Sequence, residues 1–468
     1  MHEKELSELT FDKNECQNIT DHLKDTSTVS KDYRFFQEIR QYILNLVGCL
    51  REKYPEVKAL ESSCQQLWRR KARMLVQRRL LDRQDEYAQF SGALIPPKTT
   101  TRGAEYVART REREARRTRR AASRQITRKR DSEEHHDGMS TDDEDSRSYE
   151  ALYDSEMTRV RQAQRGLFAD VEADFGEVSA ILRRFRVWRG EHANSYYDAF
   201  ISLCVPQVLI PFVRYSLISW NPLQLESSEN WENFEWYREA AAFAVENLDA
   251  GGVDERDRQE EVKIIATIVE KSIFKRVELL VTDVWDPMST RQTRLLESQL
   301  EMLTDGYPFM NADAVAAQQL VRKLCKRVQT SIGTDVYIPF VGDGATEPAA
   351  RFFERQCWSA IKLFRNIMLL SSVLSFSALR ELAFEGLLDR YLLLSLQMSP
   401  LDDRCLRKCA SIVEAIPVAF VAHEDAAAAL EPLRAYIKRF KDTMKAAKTI
   451  GGLKMEQPLE VLLTKVSR

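Results

Sequence analysis

Hydrophobic positions recur at the spacing of an α-helix over most of the chain. Over residues 33–90, apolar side chains fall at intervals of three and four residues, which places them on one face of a helix. Pro55 interrupts this stretch, and because proline lacks an N–H and clashes with the preceding turn, we expect a break or kink there. The pattern predicts a coiled-coil-like helical hairpin over 33–90, after a disordered lead over 1–32.

The helical period returns at residue 151 and continues to residue 468. Residues 195–220 are apolar nearly all round, which predicts a buried element that Pro206 and Pro211 should divide into short helices. The best strand candidate, residues 336–338, is short. The pattern predicts an all-α, multi-helix domain over 151–468, in which helical pairs of roughly 40 residues would suit a solenoid-like stack.

Residues 91–150 separate the two helical regions and have a different composition. From Arg102 to Arg130 there are 12 basic and 3 acidic residues, and from Asp131 to Asp145 there are 8 acidic residues and no Lys or Arg. We call the second stretch, residues 131–145, the acidic segment. Such blocks bury too little apolar surface to offset the entropy of ordering, so we expect a disordered, charged linker.

The overall composition supports a helical protein. The 468 residues carry a net charge of −2 and include only 16 Gly and 14 Pro, too few for a β-sandwich or a glycine-rich nucleotide fold. No run of about 18 apolar residues is present, so we expect no membrane contact. The amino terminus lacks an apolar signal region, and eight dispersed cysteines suit a reducing, intracellular compartment.

Motifs for chemistry are absent from the sequence. The six histidines are scattered, no CxxC pair occurs, and neither a phosphate-binding glycine loop nor a GxSxG motif is found. We therefore predict no catalytic residue, no cofactor and no metal ligand, and a non-enzymatic role.

The basic tract is the main candidate for a binding site. Arginine side chains neutralise phosphates, and their planar fork suits oxyanions better than lysine does. Only Tyr106 could stack on a base, so contact with RNA or DNA would not be sequence-specific. Two alternatives remain: a bipartite nuclear import signal and plain solvated charge. The candidate residues are Arg109, Arg111, Arg113, Arg116, Arg117, Arg119, Arg120, Arg124, Arg128, Lys129 and Arg130.

The acidic segment carries two candidate phosphorylation sites. Ser140 and Thr141 precede four consecutive acidic residues, a context that suits an acidophilic kinase. One hypothesis is that the acidic segment folds onto the basic tract and blocks nucleic acid, more strongly when phosphorylated. The alternative is a simple spacer.

Three blocks of the sequence resemble a known family. They are Tyr33–Gln37 with the following stretch to Pro55, residues 185–223 with their Ser202–Pro206 core, and Asp283–Thr293, which reads DVWDPMSTRQT. In this order they resemble the GC-rich sequence DNA-binding factor family, over roughly residues 33–468.

The resemblance implies a nuclear, non-enzymatic protein. Family members include spliceosome-associated factors that work beside a G-patch partner in late splicing and intron-lariat turnover, and regulators that bind GC-rich DNA. Relatives carry a long charged amino-terminal region, whereas about 30 residues precede the first block here. We expect a nuclear scaffold or adaptor in pre-mRNA splicing that binds spliceosomal or transcription-related proteins. The alternative is a GC-rich DNA-binding transcriptional regulator.

Overall fold

The computed structural model describes residues 2–91, 101–127, 136–139, 142, 144, 146–224, 230–246, 255–311, 313–340, 346–446 and 450–467. Over these residues the chain forms helices and their connections and no strand, residues 336–338 included, which confirms the all-α prediction. The α-helices are α1 (His2–Phe90), α2 (Thr101–Thr127), α3 (Arg147–Gly166), α4 (Ala173–Gly176), α5 (Val178–Glu191), α6 (Ala193–Asp198), α7 (Ile201–Ser216), α8 (Glu235–Val245), α9 (Glu255–Val269), α10 (Lys275–Asp283), α11 (Thr290–Gly306), α12 (Val315–Asp335), α13 (Glu347–Leu369), α14 (Phe376–Leu379), α15 (Leu393–Gln397), α16 (Asp403–Ala415), α17 (Val418–Val421), α18 (Ala426–Ala446) and α19 (Ile450–Ser467). Short 3₁₀ turns lie at Trp231–Asn233, Pro308–Met310 and Leu370–Ser372, and π-helical stretches at Glu270–Phe274 and Arg380–Leu392.

The chain packs as two compact units, and α1 contributes residues to both. Unit 1 comprises Met1–Ser62, Arg161–Ile218 and Trp231–Ile268, and unit 2 comprises Ser63–Val160, Ser219–Asn230 and Val269–Arg468. Each unit combines separate stretches, whereas the predicted ranges 1–32, 33–90, 91–150 and 151–468 follow composition along the chain. Those ranges stay a prediction.

Helix α1 is continuous through Pro55. The predicted break at Pro55 is therefore wrong, as is the predicted absence of structure before residue 33. On either side of the proline, Leu46 and Val57 are fully buried in unit 1. Burial of this continuous apolar face offsets the cost of an interior proline, which is about 3 kcal/mol.

The helical hairpin of the structure is formed by α1 and α2 instead. Tyr106 accepts a hydrogen bond from Gln89 at 3.3 Å, and Arg109 donates to Asp85 at 2.8 Å, so residue numbers fall along α1 as they rise along α2. The two helices are therefore antiparallel within unit 2. The prediction of disorder over residues 101–127 is wrong, because these residues form helix α2. The prediction rested on the small number of apolar residues and did not consider that the charged side chains could pair with one another.

The core of unit 1 is built from helices that are apolar on their inner faces. Ile181 and Phe185 of α5 are buried there with Val205 and Leu209 of α7. Helix α7 continues through both of its prolines, which are themselves buried, so the predicted division into short helices is wrong. A helix buried over most of its surface retains its packing when two backbone hydrogen bonds are lost.

The core of unit 2 centres on α13, which packs against α11, α16 and the Arg380–Leu392 stretch. Phe352, Cys357 and Phe364 are buried along its inner face. Helices α18 and α19 pack against each other nearby. Solenoid-like stacking of these helices stays a prediction.

Replacing Pro55 with alanine tests the continuity of α1. Pro55 is exposed, and Pro55→Ala returns an N–H that can donate to the Arg51 carbonyl. We expect the free energy of unfolding in urea, followed by circular dichroism, to rise by about 1–3 kcal/mol. The neighbouring control Glu56→Ala should change it by less than about 0.5 kcal/mol. A fall for Pro55→Ala would show that α1 is interrupted there.

Candidate binding site: the arginine helix and the acidic segment

Helix α2, which we call the arginine helix, presents its basic side chains in two groups. With 3.6 residues per turn, one face carries five of the predicted residues. They are Arg109, Arg113, Arg116, Arg117 and Arg120. Arg113 and Arg116 are buried, with exposed fractions of 3% and 2%, whereas Arg111 and Arg119 on other faces are exposed.

Carboxylates of α1 receive this inner group. Asp85 accepts two hydrogen bonds from Arg109, at 2.8 and 3.1 Å, in the bidentate geometry that arginine favours. Asp82 accepts from Arg116, and Glu86 lies 3.0 Å from Arg113. Each of these three carboxylates therefore pairs with a residue that the sequence made a candidate for nucleic-acid contact.

Glu86 also links the arginine helix to α13. It accepts from Arg117 and, at 2.6 Å, from Arg355 of α13. One carboxylate thus joins three helices of unit 2. Such pairs are stabilising where several charges share hydrogen bonds, because each buried ion is then compensated.

The described residues of the acidic segment, 136–139, 142 and 144, contact the same region of unit 2. The His136 ring stacks on Trp358, with centroids 3.9 Å apart and an interplanar angle of 3°. Gly138 has a φ of 107°, and a Cβ at that position would lie 2.4 Å from the Arg355 carbonyl oxygen. Only glycine fits this conformation and this close approach, so Gly138 allows the backbone at this point to lie against α13.

Asp142 is held by three arginines, which we call the arginine site: Arg78, Arg116 and Arg120. Arg120 lies 2.6 Å from Oδ1 of Asp142, Arg116 donates to it at 3.2 Å, and Arg78 lies 3.4 Å away. Burial opposes ionisation of Asp142, but the charges of Arg120 and Arg116 outweigh it, so its pKa lies below the ordinary value. Asp142 is thus an ionised ligand of three cations.

A small cavity of about 140 Å³ adjoins the arginine site. Its charged lining comprises seven basic and five acidic side chains. They are Arg79, Arg83, Arg113, Arg117, Arg120, Arg355 and Lys362, with Asp82, Glu86, Asp137, Asp142 and Asp335. Fixed cations that converge in this way can bind an oxyanion.

The predicted site residues therefore have different surroundings. Arg113 and Arg116 lie in the interior, while Arg119 pairs with Glu144 at 3.2 Å and Arg124 is half-buried. Residues 128–130, which include Arg128, Lys129 and Arg130, lie outside the described residues, as do Ser140 and Thr141. Nucleic-acid contact, nuclear import and phosphorylation stay predictions. Arg111 is exposed, so nucleic-acid contact can be tested by substituting it.

The third block, residues 283–293, comprises the end of α10, the loop over residues 284–289 and the first turn of α11. It anchors α1 through Arg79, a residue that no sequence motif indicated. Arg79 donates to both carboxylate oxygens of Asp286, at 2.5 and 3.0 Å. Burial opposes ionisation of Asp286, but Arg79 outweighs it and holds the pKa of that carboxyl below its ordinary value. The sequence signal was the unusual string itself, which carried no indication of a partner 207 residues away.

The loop is held rigid by its own polar residues. Ser289 caps α11 by accepting from the Gln292 backbone N–H at 3.3 Å, and the Gln292 side chain accepts from the Asp286 N–H at 2.9 Å. Trp285 is buried and donates to Thr293 at 3.2 Å. Tryptophan, aspartate, serine, glutamine and threonine in this string are therefore explained by capping and burial.

Two further properties concern only the described residues. No group of three or more His, Cys, Asp or Glu side chains among them is placed to hold a metal ion. No helix in that part of the chain combines the length and apolarity needed to cross a bilayer.

Comparison with known proteins gives a family match. The profile of the GC-rich sequence DNA-binding factor-like proteins matches residues 178–393. The chain is 33% identical to PAX3- and PAX7-binding protein 1 of Homo sapiens over 408 residues, which is 83% of this chain and 43% of that protein. It is 30% identical to Intron Large complex component GCFC2 of Mus musculus over 460 residues, 93% of this chain and 57% of that protein.

A more distant relative is the Transcriptional repressor ILP1 of Arabidopsis thaliana, 24% identical over 218 residues, 45% of this chain and 22% of that protein. The chain spans about half the length of the two animal relatives.

Substitution of Arg116 tests whether the arginine helix is structural. Arg116→Gln leaves Asp82 and Asp142 short of a cation, so we expect the free energy of unfolding to fall by about 3 kcal/mol. The matched change Arg111→Gln, on the exposed face of the same helix, should alter it by less than about 0.5 kcal/mol. Urea titration followed by circular dichroism measures both. Equal effects would contradict the burial of Arg116.

Substitution of Asp286 tests the anchoring of α1 through its dependence on pH. The folded-state pKa of Asp286 is depressed, so its stabilisation is present at neutral pH and is lost as pH falls through that pKa. Asp286→Asn should lower the free energy of unfolding by about 3–5 kcal/mol near pH 7. The difference from wild type should narrow below about pH 4.

The control for this measurement is Asp154→Asn, which changes an exposed carboxylate of α3. It should follow the wild-type stability within about 0.5 kcal/mol at each pH. A difference between Asp286→Asn and wild type that stays constant down to about pH 3 would exclude titration of this pair.

Proposed function

The chain belongs to the GC-rich sequence DNA-binding factor-like family, and from that premise we propose that it is a non-enzymatic nuclear scaffold that binds protein partners in pre-mRNA splicing. The relatives are named as a binding protein, a complex component and a repressor, and none of these names describes an enzyme. The splicing role follows the relative named as a component of the Intron Large complex, with which 93% of this chain aligns.

The observation that carries the scaffold proposal is the internal use of the basic tract. Six of the described arginines on α2 form ion pairs within unit 2. They are Arg109, Arg113, Arg116, Arg117, Arg119 and Arg120. A helix whose cations are already paired is a weak platform for a phosphate backbone, because each phosphate must displace a carboxylate. This favours protein partners as the principal ligands.

Auxiliary contact with RNA or DNA would then use the remaining basic side chains. Arg102 and Arg111 are exposed on α2. These two, the exposed ones among the described arginines of α2 that no ion pair above includes, would give weak, salt-sensitive binding, which suits a protein that meets nucleic acid within a larger assembly. A G-patch protein is the partner class that the resemblance implies, and intron-lariat turnover is the step in which we expect it.

A second candidate is a DNA-binding transcriptional regulator. The relative named as a transcriptional repressor and the DNA-binding description of the family favour it. Such a regulator should prefer GC-rich duplex to random duplex at physiological salt, because specificity requires contact with base edges.

Capture from nuclear extract tests the scaffold proposal. The full-length chain, immobilised through a tag, should retain spliceosomal proteins, a G-patch protein among them, from extract treated with nuclease. Because the proposed contacts are between proteins, the variant Arg102→Glu/Arg111→Glu should retain the same set. Quantitative mass spectrometry of the bound fraction is the measurement.

Two results would contradict the scaffold proposal. The first is that the captured proteins are lost after nuclease treatment and are also lost with the double variant, which would show that nucleic acid links them to the chain. The second concerns the identity of the captured proteins. Capture of transcription factors without spliceosomal proteins, together with a preference for GC-rich duplex in gel-shift titrations, would establish the second candidate.

A further inference from the structure

Asp142 occupies the arginine site as a peptide ligand would. We propose that the arginine site formed by Arg78, Arg116 and Arg120 binds an acidic peptide segment of a partner protein, and that the acidic segment of this chain fills it in cis. This inference deepens the scaffold proposal by naming a site and the chemistry of its ligand. The acidic segment and an added peptide would compete for the arginine site, and this competition can be measured on the purified chain.

Main-chain contacts identify the ligand as a peptide. Arg78 donates to the backbone carbonyl of Asp142 at 2.9 Å and also to the backbone carbonyl of Glu144. A nucleic-acid backbone has no such carbonyl pair. The arginine site therefore binds the main chain of a peptide as well as a side-chain carboxylate.

Side-chain contacts add a spacing requirement. Asp142 meets Arg116 and Arg120, while Glu144, two residues further on, meets Arg119 at 3.2 Å. The pattern is an acidic residue, any residue, and a second acidic residue. Carboxylate and phosphate both suit a cluster of arginines, so a phosphorylated residue could replace either acid.

Burial argues against nucleic acid as the natural occupant. Arg116 is 2% exposed, and Arg78 and Arg120 are exposed by only 18% and 15% with Asp142 in place. The adjoining cavity of about 140 Å³ accepts a side chain but not a nucleotide strand. Access therefore requires displacement of Asp142 by a group of similar size.

The acidic segment is also held at a second point, so a substitution there can release it from the arginine site without changing Asp142. Gly138 and the His136–Trp358 stack hold residues 136–138 on α13 by contacts that involve none of the three arginines. A side chain at Gly138 would clash with the Arg355 carbonyl, and so would undock the segment while the net charge stays the same. Two different substitutions thus test one site.

The experiment uses the purified full-length chain and a fluorescein-labelled peptide with the sequence of residues 137–146. In fluorescence anisotropy, Asp142→Asn should bind this peptide at least about tenfold more tightly than wild type, because a tethered competitor acts at millimolar effective concentration. Gly138→Ala should raise affinity in the same direction. Asp154→Asn, an exposed acid elsewhere in unit 2, should bind as wild type does.

The double variant Asp142→Asn/Arg120→Gln should not show the increase in peptide affinity that Asp142→Asn shows. Circular dichroism of each variant measures whether it remains helical. An affinity of Asp142→Asn equal to that of wild type would overturn the proposal. So would an equal gain for Asp154→Asn, since the effect would then be that of net charge, and so would the absence of any gain for Gly138→Ala. A ten-nucleotide RNA that displaces the peptide would assign the site to nucleic acid. None of these outcomes depends on which proteins are captured from extract.

Discussion

Pairing of arginine with carboxylate between α1, α2 and the acidic segment is the interaction on which unit 2 depends. Taking a charge out of water costs several kcal/mol, and a partner repays that cost only with close, multiple hydrogen bonds. Asp85 meets this condition through two bonds to Arg109, and Glu86 through contacts to two helices. Without the carboxylates of α1, α2 would hold too few apolar side chains to dock as a helix.

One face of α1 organises both anchors of the unit. Arg79, Asp82 and Glu86 follow one another at intervals of three and four residues, so they share a face. Arg79 donates to Asp286 in the loop over residues 284–289, while Asp82 and Glu86 pair with the arginine helix. One face of this helix is therefore fixed by two separate sets of ion pairs.

Sequence periodicity was sufficient for the fold class and insufficient for the pairing. The spacing of Leu46 and other apolar residues predicted a helix correctly, but the general rule for Pro55 failed because burial on both sides of it outweighs one lost hydrogen bond. The α1–α2 hairpin escaped prediction since composition alone treats Arg113 and Arg116 as solvated. No sequence signal pointed to this hairpin, because the succession of a basic and an acidic block led instead to the hypothesis that the acidic segment folds onto the basic tract.

That succession also explains how an arginine-rich helix can stay selective. Exposed cations attract any polyanion, and salt weakens them all alike. Cations that are covered by a tethered carboxylate respond only to a ligand that can replace it, in a pocket where screening by salt is weak. Asp142 is a good ligand of this kind because its charged side chain is accompanied by two main-chain contacts to Arg78, one from its own carbonyl and one from the carbonyl of Glu144. A competing ligand must supply both a carboxylate or phosphate and the main-chain carbonyls. This requirement makes binding to the arginines specific, although their positive charge alone would attract any anion.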